Sequence, residues 1–460
     1  MSPDKKLRRK RFDIFNIAPP KLLVLSFALL ILTGAILLSM PFSSRSGEWT
    51  PFIDALFTST SATCITGLVV FDTFTYWSIP GQIIILALIQ IGALGIITLA
   101  TFFSVMLRKK LGVKRMILAQ ESINFFSYYD VLKLIKKIIA VTFAVEFIGA
   151  ALLSISFVSR YGAKGFYMGI FSSVSAFCNA GFDVTSAAVK GTYLSMTPYN
   201  SDPIVIYTIS GLIIFGGLGF SVWRDIFNFR KTKQLLFHTK LVLALTAALL
   251  VFGTLFILFN EFHNTKTLSG MNLFEKINAS FFQSTAARTA GFNSINLPDM
   301  REISKVFTVF LMFVGAAPGS TGGGIKVTTF GVILMAIFSQ SFGREDIILF
   351  KKKIHQNTVN KALAITGLSA ILVFVITTVI VSIQPNLHVL DVLYETTSAF
   401  GTVGLSLGIT GELNSLSKAL IILTMFLGRV GPLSFAVALT LKSNKRRNDI
   451  VYPEAKILVG

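Results

Sequence analysis

The sequence predicts an all-α polytopic membrane protein with four span–re-entrant helix–span repeats, eight transmembrane helices in all, around a shared axis. Three observations predict this fold class: the composition, a motif that occurs four times, and the distribution of basic residues. The 460 residues are 53% hydrophobic and 14% charged, and the mean hydropathy is +0.71. That balance is typical of a polytopic membrane protein.

The motif consists of a hydroxyl residue, alanine, four variable residues, glycine and a large apolar residue. Its four copies cover residues 61–68, 175–182, 285–292 and 398–405. They recur about every 112 residues, a period far longer than that of any solenoid repeat. The motif therefore indicates four copies of a whole membrane hairpin.

The predicted spans are apolar runs of the roughly 20 residues that cross a bilayer. The eight runs lie near 20–42, 79–107, 132–158, 203–223, 239–260, 304–340, 359–383 and 417–441. The eight runs form four consecutive pairs, and one motif copy lies between the two runs of each pair. Each copy is too short and too rich in hydroxyl groups to span the membrane. The predicted divisions are an N-terminal segment 1–19, repeats 20–107, 132–223, 239–340 and 359–441, and a C-terminal segment 442–460. The first run lacks a signal-peptide cleavage site, so we expect an uncleaved span.

The formal net charge of +20 comes from basic residues concentrated in short segments between the apolar runs. These segments lie near 5–11, 108–115, 133–137, 224–240, 344–353 and 442–447. If the spans alternate, all of them face one side, so the positive-inside rule predicts a multi-pass cell-membrane protein with both termini in the cytoplasm. The same distribution argues against a nucleic-acid binder.

Metal-dependent and enzymatic classes find no support in the residue pattern. The cysteines Cys64 and Cys178 and the four histidines show no ligand spacing, so we expect no cofactor bound by this chain. A membrane enzyme would need ionisable side chains that converge inside the membrane, whereas the repeats offer hydroxyl and carbonyl groups.

Each motif copy predicts a short helix followed by irregular backbone. Thr50 and Pro51 suit an N-cap and a first turn, and Asp54, Asn278 and Asp391 suit a helix start. We expect each helix to end near the alanine five positions before the glycine. Irregular backbone at membrane depth must be buried or line a water-filled cavity. Because glycine tolerates positive φ, four such stretches predict a pseudo-four-fold pore lined by carbonyl groups that suit a cation.

The sixth span is interrupted by the glycine- and proline-rich run 315–324. Glycine costs about 1 kcal/mol and proline about 3 kcal/mol in a helix interior, so we expect a broken helix under the pore. A phosphate-binding loop is the alternative, but Lys326 follows Ile325 and precedes Val327, which breaks the G-x-x-x-x-G-K-[ST] pattern.

Two arginines and two glutamates are the notable charges inside the apolar stretches. Arg429 lies in the eighth span, where insertion of a charge costs about 2.5–3.5 kcal/mol and usually serves function; snorkelling to the interface is the alternative. Arg288 ends the third motif helix, and because a cation on the axis would oppose cation passage, we expect it to brace the motif from behind. Glu146 and Glu395 suit partners of buried cations or hydrogen-bonded supports, and no role is assigned to them.

With these residues in view, the chain resembles the Trk/Ktr/HKT superfamily of potassium transporters, and most of all the Ktr membrane (KtrB-like) subunits, over essentially its whole length. The stretches 285–293 and 398–404 are rather specific to that superfamily. The resemblance implies that each repeat contributes one glycine and two preceding residues to a carbonyl selectivity filter. The implied ion-binding residues are Ile65, Thr66, Gly67, Asn179, Ala180, Gly181, Thr289, Ala290, Gly291, Thr402, Val403 and Gly404. A serine in the first repeat goes with sodium transport, so Gly67 implies potassium.

The resemblance also implies that the broken sixth span is a gate that blocks the path below the filter. Arg429 would lie beside it as an electrostatic barrier and a hydrogen-bond donor to loop carbonyls. The implied gate residues are Gly315, Pro318, Gly319, Ser320, Thr321, Gly322, Gly323, Gly324, Lys326 and Arg429.

The chain contains no nucleotide-binding fingerprint. The resemblance implies a separate cytoplasmic ring of RCK/KTN (KtrA-like) subunits that binds ATP or ADP and docks near 108–115 and 344–353. It further implies a homodimer with 452–460 near the interface, in contact with membrane lipids. A coupled secondary transporter is the alternative, although the four copies share one orientation and are not inverted. Sodium activation or coupling, channel or carrier turnover, the regulating nucleotide and the identity of the RCK partner are left open by the sequence.

Overall fold

The computed structural model describes residues 19–95, 131–185, 195–344, 346–350 and 352–431. In chain order its helices are α1 (Pro19–Ser39), α2 (Phe52–Cys64), α3 (Thr73–Tyr76), α4 (Ile79–Leu94), α5 (Val131–Tyr161), α6 (Lys164–Phe177), α7 (Pro203–Leu218), α8 (Phe220–Thr232), α9 (Phe237–Glu261), α10 (Leu273–Ala286), α11 (Glu302–Phe313), α12 (Val327–Ser341), α13 (Gln356–Ile383), α14 (Val389–Gly401) and α15 (Ser415–Val430). Three single 3-10 turns cover Pro41–Ser43, Thr197–Tyr199 and Ile409–Glu412. A short antiparallel pair joins β1 (Ile348–Leu349) to β2 (Lys352–Lys353).

Some predicted features lie outside the described residues. These are the basic segments at 5–11, 108–115 and 442–447, the predicted docking surface at 108–115, the end of the second and eighth spans, and the predicted interface segment 452–460.

The described helices form four consecutive units, each with a long helix, a buried helix and a third helix. The long helices are α1, α5, α9 and α13, the buried helices are α2, α6, α10 and α14, and the third helices are α4, α7, α11 and α15. The buried helix packs on the long helix of its own unit. The third helix of each unit also packs on the buried helix of the next: α4 on α6, α7 on α10, α11 on α14, and α15 back on α2. The units therefore close into a ring with the buried helices inside.

Several of these helices are suited to a membrane. Four are long and apolar enough to cross one: Lys21–Ser39, Ile135–Tyr161, Phe237–Glu261 and Gln356–Ile383. Helices α7 and α8 would supply a fifth span if the pair, which is bent by 96°, is taken as one. Helices α4, α11 and α15 have 16, 12 and 16 residues, so the count of eight spans stays a prediction.

Exposure differs sharply between the long helices and the buried ones. Phe147 and Phe259 are each 75% exposed and Phe374 is 71% exposed on the long helices, whereas Phe57 and Phe171 on buried helices are fully enclosed. Large apolar side chains that face outward in this way suit a lipid surrounding rather than water. The polar, hydroxyl-rich helices are thus surrounded by apolar ones.

The starts of two buried helices differ from the sequence prediction. Helix α2 begins at Phe52 after Pro51, so Thr50 is not its N-cap. Asn278 lies in the middle of α10, because a capping box between Asn272 and Glu275 starts that helix earlier in the chain. Asp54 and Asp391 do lie in the first turns of their helices.

The ends of the buried helices also differ in part. Helix α10 ends at Ala286, five positions before its glycine, as predicted. The other three run one or two residues further, to Cys64, Phe177 and Gly401. In α2 and α14 the next residue, Ile65 or Thr402, adopts a left-handed conformation that terminates the helix.

Glycines set how closely the third helices cross the buried ones. In three units a helical glycine lies against a backbone carbonyl at the end of the buried helix, so that an added Cβ would collide with the oxygen. The glycines are Gly92, Gly216 and Gly428, and the carbonyls they meet are those of Thr63, Phe177 and Phe400, respectively. The close crossing brings the end of each buried helix towards the centre of the ring.

Candidate functional site

The four motif glycines meet at the centre of the molecule. A Cβ added to Gly67 would lie 2.5 Å from the Ala180 oxygen and 3.0 Å from the Gly181 Cα. The same holds around the ring. A Cβ added to Gly181 would lie 2.9 Å from the Ala290 oxygen, and one added to Gly291 would lie 2.6 Å from the Val403 oxygen. A Cβ added to Gly404 would collide with the Thr66 oxygen, so the contacts between the four glycines form a closed circle. We call Gly67, Gly181, Gly291 and Gly404 the glycine ring; no side chain fits at any of its four positions.

The backbone of the ring is the same in all four units. Each ring glycine has positive φ, between 72° and 95°. The residue two positions earlier also has positive φ, although it is not glycine, and the residue between them does not. We call these earlier residues the inner layer: Ile65, Asn179, Thr289 and Thr402, with φ of 61°, 58°, 73° and 49°. Non-glycine residues rarely adopt positive φ. Alternation of the sign of φ turns successive carbonyls towards the same side, in contrast to a strand.

The first hydroxyl of the motif holds the ring backbone in two units. The Gly67 amide donates to Ser61 Oγ at 3.1 Å, and the Gly404 amide donates to Ser398 Oγ at 3.0 Å. In the third unit the Gly291 amide instead donates to the Ala286 carbonyl at 3.3 Å. These bonds occupy the amides, so the neighbouring carbonyls of the ring stay available as acceptors.

Residues 315–324 form an irregular loop between α11 and α12. The Gly315 amide donates to the Ile325 carbonyl at 2.8 Å, which closes the base of the loop. The Ala317 amide donates to the Gly217 carbonyl at 3.0 Å, and the Phe220 amide donates to the Gly319 carbonyl at 3.0 Å. The loop is therefore bound to the bend between α7 and α8.

The loop also contacts side chains of the inner layer. The Gly323 amide donates to Thr402 Oγ1 at 2.9 Å. The Asn179 amide group lies 3.2 Å from Thr321 Oγ1 and 3.1 Å from Thr289 Oγ1. Two of the four inner-layer side chains, Asn179 and Thr402, thus hold the loop directly against the ring, and Thr289 supports Asn179. From the sequence, these residues were expected to act only through their carbonyls, although the polar character of three of them was a visible sign of side-chain contacts.

Two cations bind carbonyls of the loop. Arg429 donates from Nη1 to the Thr321 carbonyl and from Nη2 to the Gly92 carbonyl, the latter at 2.7 Å. Lys326 Nζ donates to the Gly322 carbonyl at 2.7 Å. Within the described part of the chain neither forms an ion pair with a carboxylate. Both positive charges therefore lie on the loop side of the ring.

The remaining charged residues singled out in the sequence contact neighbours outside the inner layer. Arg288 Nη1 is 3.5 Å from the Thr246 carbonyl oxygen. Glu146 accepts from Gln90 Nε2 at 3.0 Å, and Cys178 Sγ lies 3.7 Å from the same carboxylate.

Glu395 accepts from Thr410 Oγ1 at 2.5 Å. Cys64 and Cys178 are both free and buried. Among the described residues, no group of three or more His, Cys, Asp and Glu side chains is arranged to hold a metal ion. The oxygens that converge on the centre are backbone carbonyls and hydroxyls.

Residues 22–448 match the TrkH family, described as cation transport protein. The chain belongs to this family. It is 38% identical to the Ktr system potassium uptake protein B of Bacillus subtilis, with 100% of both chains covered. It is 37% identical to the potassium/sodium uptake protein NtpJ of Enterococcus hirae, with 99% of both covered. The family predicted from the motifs is confirmed, and the relatives are transporters, not enzymes.

The fold is shared with a solved structure. The potassium transporter TrkH from Vibrio parahaemolyticus aligns with a TM-score of 0.71 at 18% identity, over 96% of this chain and 87% of that one. With its several apolar helices, the TrkH-family chain is a multi-pass membrane protein.

Proposed function

We propose that this chain is a potassium uptake protein in which K⁺ passes through the glycine ring. The observation that carries the proposal is the mutual contact of Gly67, Gly181, Gly291 and Gly404. The proposed filter comprises these glycines and the two residues before each of them: Ile65, Thr66, Asn179, Ala180, Thr289, Ala290, Thr402 and Val403. Four units of like orientation around one centre favour a pore with eight spans over a carrier built from inverted repeats.

The chemistry of the ring suits a weakly hydrated cation. Backbone carbonyl oxygens replace the hydration shell of an ion without a fixed carboxylate, which lets the ion enter and also leave. The ends of the four buried helices add partial negative charge at the same place. Potassium is the ion that two relatives carry in their names, and the name of one also includes sodium. Sodium is therefore proposed as an activating or accompanying ion.

The loop 315–324 is proposed as the gate. It lies against the inner layer and is held by Arg429, Lys326, Asn179 and Thr402. A cation that leaves the ring on this side meets both the loop and two positive charges. Opening then requires the loop to release its bonds to the inner layer and to the α7–α8 bend.

Regulation is assigned to a partner. We propose a homodimer, with both termini in the cytoplasm, that binds a separate RCK/KTN-type ring carrying ATP or ADP. The name "Ktr system" of the Bacillus subtilis relative suits a multi-component assembly. The basic stretch 344–353 is a proposed docking surface, and its Lys352 and Lys353 form part of the β1–β2 pair.

The test is potassium uptake by cells that lack their own potassium transport systems. Wild type should restore growth at low potassium, whereas Gly291→Asp should abolish uptake because a side chain at the ring collides with the Val403 carbonyl. Gly270→Asp is the matched control, since nothing lies within 4 Å of a Cβ at Gly270. A deletion within 315–324 should give faster, poorly regulated flux. Uptake by Gly291→Asp at the wild-type rate would exclude the ring as the ion path.

A further inference from the structure

Among the described residues, the Arg288 guanidinium has acceptors for few of its N–H donors. The side chain is only 8% exposed. Its one hydrogen bond to a described residue is the 3.5 Å contact with the Thr246 carbonyl, and Nε is buried without a partner. A guanidinium group has five N–H donors and a permanent positive charge. No carboxylate among the described residues forms an ion pair with it, so its charge is not balanced by a side chain.

A small, partly open cavity has Arg288 in its wall. Its volume is about 20 Å³, and its wall includes Thr246, Thr285, Gly217 and Ala316 together with Arg288. A space of that size holds one water-sized particle. The rest of the wall is aliphatic, with Leu250 and two isoleucines of α7. The cavity therefore presents one concentrated positive charge in otherwise weakly polar surroundings.

We infer that this cavity is a binding site for one small monovalent anion of halide size, held by Arg288. A buried charge without a counter-charge is strongly unfavourable. Water would supply an acceptor but no charge, and the end of α10 offers only a partial negative charge. A halide supplies both and accepts several N–H donors without directional demands.

Because the cavity lies close to the glycine ring and the loop base, a bound anion would affect both. Arg288 is three residues before Gly291, so an unbalanced charge there would raise the energy of a cation in the ring. The wall also includes Gly217 and Ala316, next to the bond between the Ala317 amide and the Gly217 carbonyl. A bound anion would thus stabilise the contact of α7, α10 and the loop base. This site goes beyond the proposed transport function and does not depend on which cation is carried.

Diffraction from wild-type crystals grown in potassium bromide tests the site directly. An anomalous bromide peak within hydrogen-bonding distance of the Arg288 guanidinium is the expected result. A cavity that contains only water in saturating bromide would overturn the inference. This measurement needs no variant, so it stands even if substitutions at Arg288 prevent folding.

Thermal unfolding of the full chain in lipid nanodiscs provides the solution test. At constant potassium, chloride and bromide should raise the melting temperature of wild type in a saturable manner, relative to gluconate. Arg288→Gln should lose this anion-dependent shift. Arg160→Gln is the matched control, because Arg160 already pairs with Asp202 at 2.8 Å, and it should keep the shift. An equal shift in Arg288→Gln, or no saturable shift in wild type, would refute the site.

Discussion

Lys418 Nζ lies 2.7 Å from Asp54 Oδ1, and this ion pair joins the fourth unit to the first. Asp54 is in the first turn of α2, and Lys418 is in the first turn of α15. The two side chains are only 10% and 12% exposed. A comparable bond links the second and third units, where Tyr207 Oη donates to Asn278 Oδ1 at 2.8 Å. The closure of the four units into a ring thus depends on polar contacts between the start of the third helix of one unit and the buried helix of the next.

Breaking the closing ion pair should destabilise the fold. Removal of one partner leaves the other charge buried, so Lys418→Met is expected to lower the free energy of unfolding by about 3 kcal/mol. The double variant Lys418→Met with Asp54→Leu should recover much of that loss, since an apolar pair replaces the ions. Denaturant unfolding of the purified protein measures both.

The exposed pair between Lys353 and Asp346 serves as the control for that experiment. Its side chains are 64% and 47% exposed, so Lys353→Met should cost no more than about 1 kcal/mol. Equal losses for Lys418→Met and Lys353→Met would show that the closing pair does not hold the units together.

The close crossing at Gly216 makes a second prediction. Alanine favours a helix interior over glycine by about 1 kcal/mol, but a Cβ at Gly216 would collide with the Phe177 carbonyl. Gly216→Ala is therefore expected to destabilise the protein by about 1–3 kcal/mol, as overpacking does. Gly211 belongs to the same helix, and nothing lies within 4 Å of its Cβ position. Gly211→Ala should be neutral or stabilising in the same unfolding measurement, and a loss as large as that of Gly216→Ala would contradict the close-contact explanation.

A third prediction concerns the effect of the Thr402 hydroxyl on K⁺ flux, and it rests on the proposed gate. Thr402→Val keeps the shape of the side chain but removes the acceptor of the Gly323 amide. The loss of a hydrogen bond worth about 1 kcal/mol shifts the closed loop towards release. Flux of K⁺ into proteoliposomes without any partner subunit should therefore rise several-fold.

Thr397→Val is the matched control for the loop experiment. Thr397 lies on α14, five residues before Thr402 and outside the proposed filter, and its hydroxyl is buried without a partner among the described residues, so the same isosteric change removes no contact with the loop. Its basal flux should equal that of wild type. If Thr397→Val and Thr402→Val raise flux equally, the effect does not come from the bond to Gly323 and the proposed hold on the loop is wrong.

The sequence predicted the features that repeat, and it missed those that depend on contacts between units. Four glycines in register, the interruption at 315–324 and the apolar runs were visible because each is a local pattern. The collision partners of Gly216 and the bond between Lys418 and Asp54 join residues far apart in the chain, and no local pattern marks them. The placement of Asn278 failed for a local reason, since the capping box at Asn272 was overlooked. The polar side chains of the inner layer were visible, but their contact with the loop depends on tertiary packing.

The last prediction concerns Asp183 and the pH dependence of K⁺ uptake. It lies two residues beyond Gly181, and its Oδ1 accepts from Thr185 Oγ1 at 2.8 Å. Burial is the main cause that raises the pKa of Asp183 above its ordinary value; the nearby charge of Asp72 adds to this, and the bonds from Thr185 oppose it. Acidification therefore protonates Asp183 at a higher pH than an ordinary aspartate, whose pKa is about 3.9. Loss of this negative charge weakens the attraction of cations to the ring.

Uptake measured against external pH and K⁺ concentration checks this prediction. The wild-type KM for K⁺ should rise as the medium is acidified, and Asp183→Asn should show a higher KM, by up to about 10-fold, that no longer changes over the same pH interval. Asp346→Asn removes a carboxylate near the basic stretch 344–353, on the side proposed to be cytoplasmic, and should keep the wild-type profile. If Asp183→Asn retains the pH dependence of wild type, another group titrates and Asp183 does not attract the ion.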